Sequence, residues 1–169
     1  MLFATTHNPL VTLVATQSSD FETLVAIRIE AMRESLERIG RFDPVRARER
    51  FRDGFSPAFT RYIEVSGEQV GFVVVKPLID GLLLDHLYIK PSAQGLGIGS
   101  AVLRQVFVEA DASELTLRVG ALRESASNRF YIRHGFQFVE SREFDNYYVR
   151  PNTQVRPPAA TRASSSASN

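Results

Sequence analysis

Leu82-Leu83-Leu84-Asp85-His86-Leu87-Tyr88-Ile89-Lys90-Pro91-Ser92-Ala93-Gln94-Gly95-Leu96-Gly97-Ile98-Gly99-Ser100 is the most informative stretch of the chain. Leu82 to Ile89 is a strongly apolar run of strand length, and Pro91 ends it. Three glycines at alternate positions follow: Gly95, Gly97 and Gly99. Ile98, Ala101, Val102, Val106, Phe107 and Ala110 then recur at helical spacing. Glycine lets the backbone approach a ligand closely and turn its N–H groups inward. A helix start adds unpaired N–H donors and the positive end of the helix dipole. A strand, a glycine loop and a helix in this order suit a phosphate or pyrophosphate. The bland alternative is a tight strand-to-helix turn.

Two other phosphate motifs do not fit the glycine spacing. A P-loop needs Lys after its last glycine, and Gly99 is followed by Ser100. The dinucleotide fingerprint needs a further glycine three positions on, where Gly97 has Ser100 and Gly95 has Ile98.

Working outward, Val11 to Ala15 predicts a first strand. Ser18, Ser19 and Asp20 offer caps for a helix carrying Leu24, Ile27, Ala31 and Leu36 on one stripe. Its charges Arg28, Glu30, Arg33, Glu34, Glu37 and Arg38 read mainly as a solvated face. Asp43-Pro44 starts a second helix after the break at Gly40. The arginines 46, 48, 50 and 52 alternate along it, and residues two apart do not share a helix face, so a solvated surface is expected there too. Thr60 to Val65 and Gln69 to Lys76 predict a hairpin turning at Ser66-Gly67-Glu68. After the glycine-led helix come a strand over Glu114–Val119 and a helix over Ser125–His134 that stops at Gly135. A closing pair over Phe138–Glu140 and Tyr147–Arg150 completes the order. This is an α/β chain: a mixed, mostly antiparallel sheet of about seven strands with helices on both faces.

The 169 residues fit one domain, and 44% apolar composition supplies a substantial core. We expect an extension over residues 1–10, the domain over 11–150 and a Pro/Ala/Ser/Thr-rich disordered tail over 151–169. The net charge of +1 gives no global bias toward nucleic acid or membrane. Without cysteine the chain has no disulfide, thiolate metal site or cysteine nucleophile. The N-terminus carries no secretory pattern, and no apolar run reaches the ~20 residues of a membrane span. The expectation is a soluble, cytoplasmic protein that needs no metal.

A second motif lies downstream: Asn128-Arg129-Phe130-Tyr131-Ile132-Arg133-His134-Gly135-Phe136. Together the two segments resemble the GNAT superfamily of N-acetyltransferases. Its first signature, Gln/Arg-x-x-Gly-x-Gly/Ala after an apolar strand, is matched by Gln94-Gly95-Leu96-Gly97-Ile98-Gly99. Its second, an aromatic residue, Tyr, three residues and Gly-Phe, is matched by Phe130 to Phe136. Both stand in the family's order, and the resemblance covers nearly everything but the two ends.

The resemblance implies acetyl-coenzyme A as co-substrate. Backbone groups of Leu87, Tyr88 and Ile89 would pair with its pantetheine arm, and the loop Gln94, Gly95, Leu96, Gly97, Ile98, Gly99 and Ser100 would hold its pyrophosphate. The chain departs from the family where an early helical Asn touches the arm. Glu124 or Ser125 stands there, and Asn128, nearby but out of register, is the candidate for that coenzyme contact.

Tyr131 is the candidate acid that protonates the departing thiolate, with core packing as its structural alternative. Asp85 and His86 are candidate bases; strand alternation sends them to opposite faces, so only one should reach the cleft. Glu30 and Glu64 are weaker candidates. His134 is better explained by the dipole at its helix end. A backbone N–H near Ile89 would hold the oxyanion.

The expected reaction is direct transfer of acetyl to a primary amine of a small molecule or peptide, with no acyl-enzyme. The family often dimerises, so a homodimer is open. Alternatives are transfer of a longer acyl group, a non-catalytic acyl-coenzyme A sensor, and, more remotely, nucleic-acid binding through the arginines.

Overall fold

The computed structural model describes residues 8–152. The expected tail past Asn152 and all but the last three residues of the expected extension lie outside them. Seven strands form one sheet: β1 (Val11–Ala15), β2 (Thr60–Val65), β3 (Glu68–Leu78), β4 (Gly81–Ile89), β5 (Leu117–Leu122), β6 (Gln137–Ser141) and β7 (Asp145–Arg150), in the order β1-β2-β3-β4-β5-β7-β6. Every neighbouring pair is antiparallel except β4–β5, which is parallel. The helices are α1 (Phe21–Arg38), α2 (Pro44–Gly54), α3 (Ile98–Ala112) and α4 (Ser127–Arg133).

Side-chain alternation divides the interior in two. Ile63 and Val73 point into a core with Val102 and Val106 of α3 and Tyr131 of α4. Tyr62, Phe72 and Val74 face the other way, onto Leu24 and Ile27 of α1 and Phe51 of α2. The mixed sheet with helices on both faces is therefore the fold the sequence predicts.

Local chemistry places most boundaries. Asp43 accepts a hydrogen bond from the Arg46 N–H at 3.0 Å, with Pro44 in the first turn, so α2 starts where the cap signal lies. Ser66 and Gly67 both have positive φ, 52° and 80°, the geometry of a tight hairpin between β2 and β3.

One boundary is corrected. The strand expected from Glu114 begins only at Leu117 and runs on to Leu122. Glu114 instead ends α3 with a left-handed φ of 55°. Its N–H bonds the Asp111 carbonyl at 3.1 Å, and the Leu115 N–H bonds the Ala110 carbonyl at 2.9 Å. This pair of bonds is the Schellman closure, with Glu where glycine is usual, so the glycine signal for a helix end is missing from the sequence. No helix among the described residues is long and apolar enough to cross a membrane.

Candidate active site

The sheet opens at its parallel pair. β4 meets β5 only through Leu82–Leu84 and Leu117–Val119. β5 continues along β7 as far as Leu122, while β4 continues along β3 as far as Ile89. Beyond Leu84 the β5-side edge of β4 thus has no strand partner.

A bulge lies at this divergence. Val74 pairs with His86 and Val75 with Leu84, leaving Asp85 as the extra residue. A bulge bends its strand and re-aims the side chains that follow. Asp85 Oδ2 lies 2.8 Å from Lys76 Nζ and 3.6 Å from His86 Nε2. The strict alternation expected for Asp85 and His86 is therefore broken: both line the same cavity.

His86 Nδ1 lies 3.2 Å from the Tyr88 hydroxyl. Both neighbours are suited when Nε2 carries the proton toward Asp85 and Nδ1 accepts from Tyr88. Burial lowers the His86 pKa from 6.5 to about 4; Asp85 opposes the shift, while Arg28 and Lys76 add to it. The imidazole is thus neutral at pH 7.

A depressed folded-state pKa means that the unfolded chain binds the proton more readily. This contribution to stability is complete above pH 6.5 and is lost as the pH falls through about 4. We predict that His86→Gln flattens the decline of unfolding free energy between these limits, removing up to roughly 3 kcal/mol of pH dependence. Urea titrations at several pH values check this, and parallel profiles for the two proteins would refute it.

Tyr131 approaches from α4. Its ring packs edge-on against Phe136, and it is buried among residues of α3 and β5. Its hydroxyl donates to no acceptor among the described residues, and the residue lines the same cavity as His86 and Tyr88. Burial, and secondarily Tyr88, push its pKa far up, so it remains a proton donor at neutral pH.

The three loop glycines divide their roles. Gly95 and Gly97 have φ of 75° and 77°, the left-handed region that favours glycine. Gly97 is the residue before α3, and the first helical bond runs from the Ala101 N–H to its carbonyl at 3.1 Å. The N–H groups of Ile98, Gly99 and Ser100 precede that bond and form the donor end of the helix. Gly99 serves the packing of two helices. A Cβ there would sit 3.1 Å from Phe130 Cζ, so its absence lets α4 pack against α3.

Gln94 donates to the Ile89 carbonyl at 2.9 Å, fastening the exposed loop to the end of β4. Leu96 is exposed and Ile98 is buried. Ser100 Oγ meets His134 Nε2 at 2.9 Å, while His134 Nδ1 lies 2.7 Å from the Phe130 carbonyl. His134 thus serves its helix end, as expected, and also orients Ser100.

Asn128 is engaged within the protein itself. Its Nδ2 donates to the carbonyls of Leu122, Arg123 and Ser125, and its Oδ1 accepts from Asn146 Nδ2 and Tyr148 Oη. Both ends of the amide tie α4 to β5 and β7. Glu30 and Glu64, the weaker candidate bases, do not line the cavity of His86 and Tyr131.

That cavity, about 1060 Å³, lies between the α1–α2 side of the sheet and the β5–β7 end. Arg28, Arg41, Arg46 and Arg50 line it, together with Asp43, Asp85 and Asp145. Arg28 is 8% exposed and sits four residues after Leu24 on the buried stripe of α1. That spacing was the available signal; the surrounding run of mixed charge concealed it. The arginines of α2 also divide: Arg48 and Arg52 lie over Phe21, away from Arg46 and Arg50.

Comparisons with known proteins agree with this geometry. Residues 58–138 match the family model described as the acetyltransferase (GNAT) domain. Over that segment the chain resembles the GNAT acetyltransferases. Over 84 residues it is 31% identical to the [ribosomal protein bS18]-alanine N-acetyltransferase of Haemophilus influenzae, an alignment spanning 49% of this chain and 56% of that relative. Its fold resembles PaiA N-acetyltransferase of Thermoplasma acidophilum in complex with coenzyme A, with TM-score 0.70 and 17% identity over 84% of this chain and 99% of that one. The ribosomal-protein-S18-alanine N-acetyltransferase of Escherichia coli gives TM-score 0.68 and 15% identity over 88% and 98% of the two chains.

Proposed function

We propose that this protein is an N-acetyltransferase that moves acetyl from acetyl-coenzyme A to a primary amine within a ternary complex. The observation that carries the reading is the opening between β4 and β5, with the unshared Tyr131 hydroxyl beside it and the donor end of α3 at the close of the same strand segment.

The N–H groups of Gly97 to Ser100 receive the pyrophosphate, where aligned donors and the helix dipole favour negative charge. The free edge over Leu87–Ile89 takes the pantetheine arm as an added strand would be taken. This sets the thioester in the opening, with the amine entering from the arginine-lined cavity.

The amine nitrogen attacks the thioester carbonyl carbon, and the C–S bond breaks. The Tyr131 proton passes to the leaving sulfur. The ammonium proton leaves through water to the Tyr88 hydroxyl, which passes its own proton to Nδ1 of the neutral His86, with Asp85 at the far nitrogen. Lys76 neutralises Asp85, and His86 binds a proton weakly, so this pair passes the proton on rather than storing it.

A screen of primary amines for release of the coenzyme A thiol tests the function. Release with an amine class, absent without the protein, is expected. If calorimetry finds acetyl-coenzyme A bound while no amine releases thiol, the catalytic reading fails.

A further inference from the structure

The acceptor side of the opening is more cationic than the net charge of the chain implies. The Arg28 Nη1 group donates to the Ala47 carbonyl, but its Nε is buried without a hydrogen-bond partner. The side chain is more than nine-tenths buried and lines the cavity. Arg46 and Arg50, one helical turn apart on α2, line the same cavity. Neither has an ion pair within 4.0 Å among the described residues; Asp145 attracts Arg50 only through space.

The acids nearby are mostly committed. The Asp43 carboxylate caps α2, and Asp85 is paired with Lys76. Asp145 alone makes no side-chain hydrogen bond among the described residues. A guanidinium keeps its charge at every physiological pH, so the four arginines that line this space, Arg41 among them, repel a purely cationic guest.

We propose that the acceptor is a small amine that also carries an oxyanion, a carboxylate or a phosphate ester, held by Arg46 and Arg50 above the buried Arg28. This rests on the acetyltransferase reading. The planar fork of arginine matches both oxyanions through paired N–H donors. Asp145 is then the carboxylate left to attract the ammonium end. None of the loop residues 94–100 lines this cavity, which separates the site from the coenzyme's phosphates.

The test compares matched acceptors, namely an α-amino acid, its carboxamide, an aminoalkyl phosphate and a linear polyamine. The full chain is expected to favour one oxyanion-bearing amine over the carboxamide and the polyamine by about tenfold or more in kcat/KM, the scale of one charge-assisted hydrogen bond. The better of the two oxyanion arms identifies its source. Arg46→Ala/Arg50→Ala should erase the preference through KM, leaving carboxamide turnover and the Kd for acetyl-coenzyme A unchanged.

A preference for the polyamine, equal use of the carboxamide, or an unchanged ratio in the double variant would overturn the proposal. So would a weakened acetyl-coenzyme A affinity with acceptor KM intact. Should no amine turn over, the catalytic reading fails on its own. The oxyanion site is then judged by calorimetric binding of the same amino carboxylate and aminoalkyl phosphate to the coenzyme A-loaded chain. Binding must occur and must weaken about tenfold in the double variant; otherwise the site is refuted.

Discussion

Gly97→Val is expected to raise the Kd for acetyl-coenzyme A by about 100-fold, because two effects act at one residue. The φ of 77° is a region a β-branched residue avoids at a cost of about 1–3 kcal/mol. Relief of that strain would rotate the peptide and turn N–H groups at the start of α3 away from the ligand. Loss of one hydrogen bond to a charged group costs about 1.5–3 kcal/mol. The fold itself should survive, since the nearest atom to an added Cβ is Pro9 Cδ at 3.8 Å. Calorimetry reads the Kd and thermal unfolding reads the fold. An intact Kd in a folded variant would remove the loop from the binding site. Gly99 would be a poor choice for this experiment, because a Cβ there crowds Phe130 and disturbs helix packing first.

The second large effect is on rate. Tyr131→Phe should lower kcat by about 100-fold or more while the Kd for acetyl-coenzyme A changes little, as befits loss of a positioned acid. The ring keeps its contact with Phe136, so the substitution removes only the hydroxyl. Burial keeps that hydroxyl protonated at neutral pH, which suits a donor to a departing thiolate. Single-turnover measurement with saturating coenzyme separates chemistry from binding. Unchanged turnover would return Tyr131 to a packing role.

The fold was legible because its signals are local. The cap at Asp43-Pro44, the turn at Ser66-Gly67 and the apolar run from Leu82 each act within a few residues, and each appears where the sequence places it. The glycine loop was legible for the same reason, since positive φ at Gly95 and Gly97 is a property of those residues. Glu114 shows where such reading ends. A non-glycine residue closes α3 there, and the bonds that hold it depend on the surrounding packing.

The site divides along the same line. The sequence by itself determined the strand, the glycine-led donor end of α3 and the presence of Tyr131 on α4. Only the tertiary structure decided which side chains meet. A bulge, a feature of strand pairing rather than composition, put Asp85 and His86 into one cavity. The amide of Asn128 is bonded to β5 and β7, strands that the sequence alone does not bring beside it. Arg28, Arg46 and Arg50 gather because α1 and α2 pack on one face of the sheet. Charge is written residue by residue, but the field in a cavity depends on which residues the fold places together.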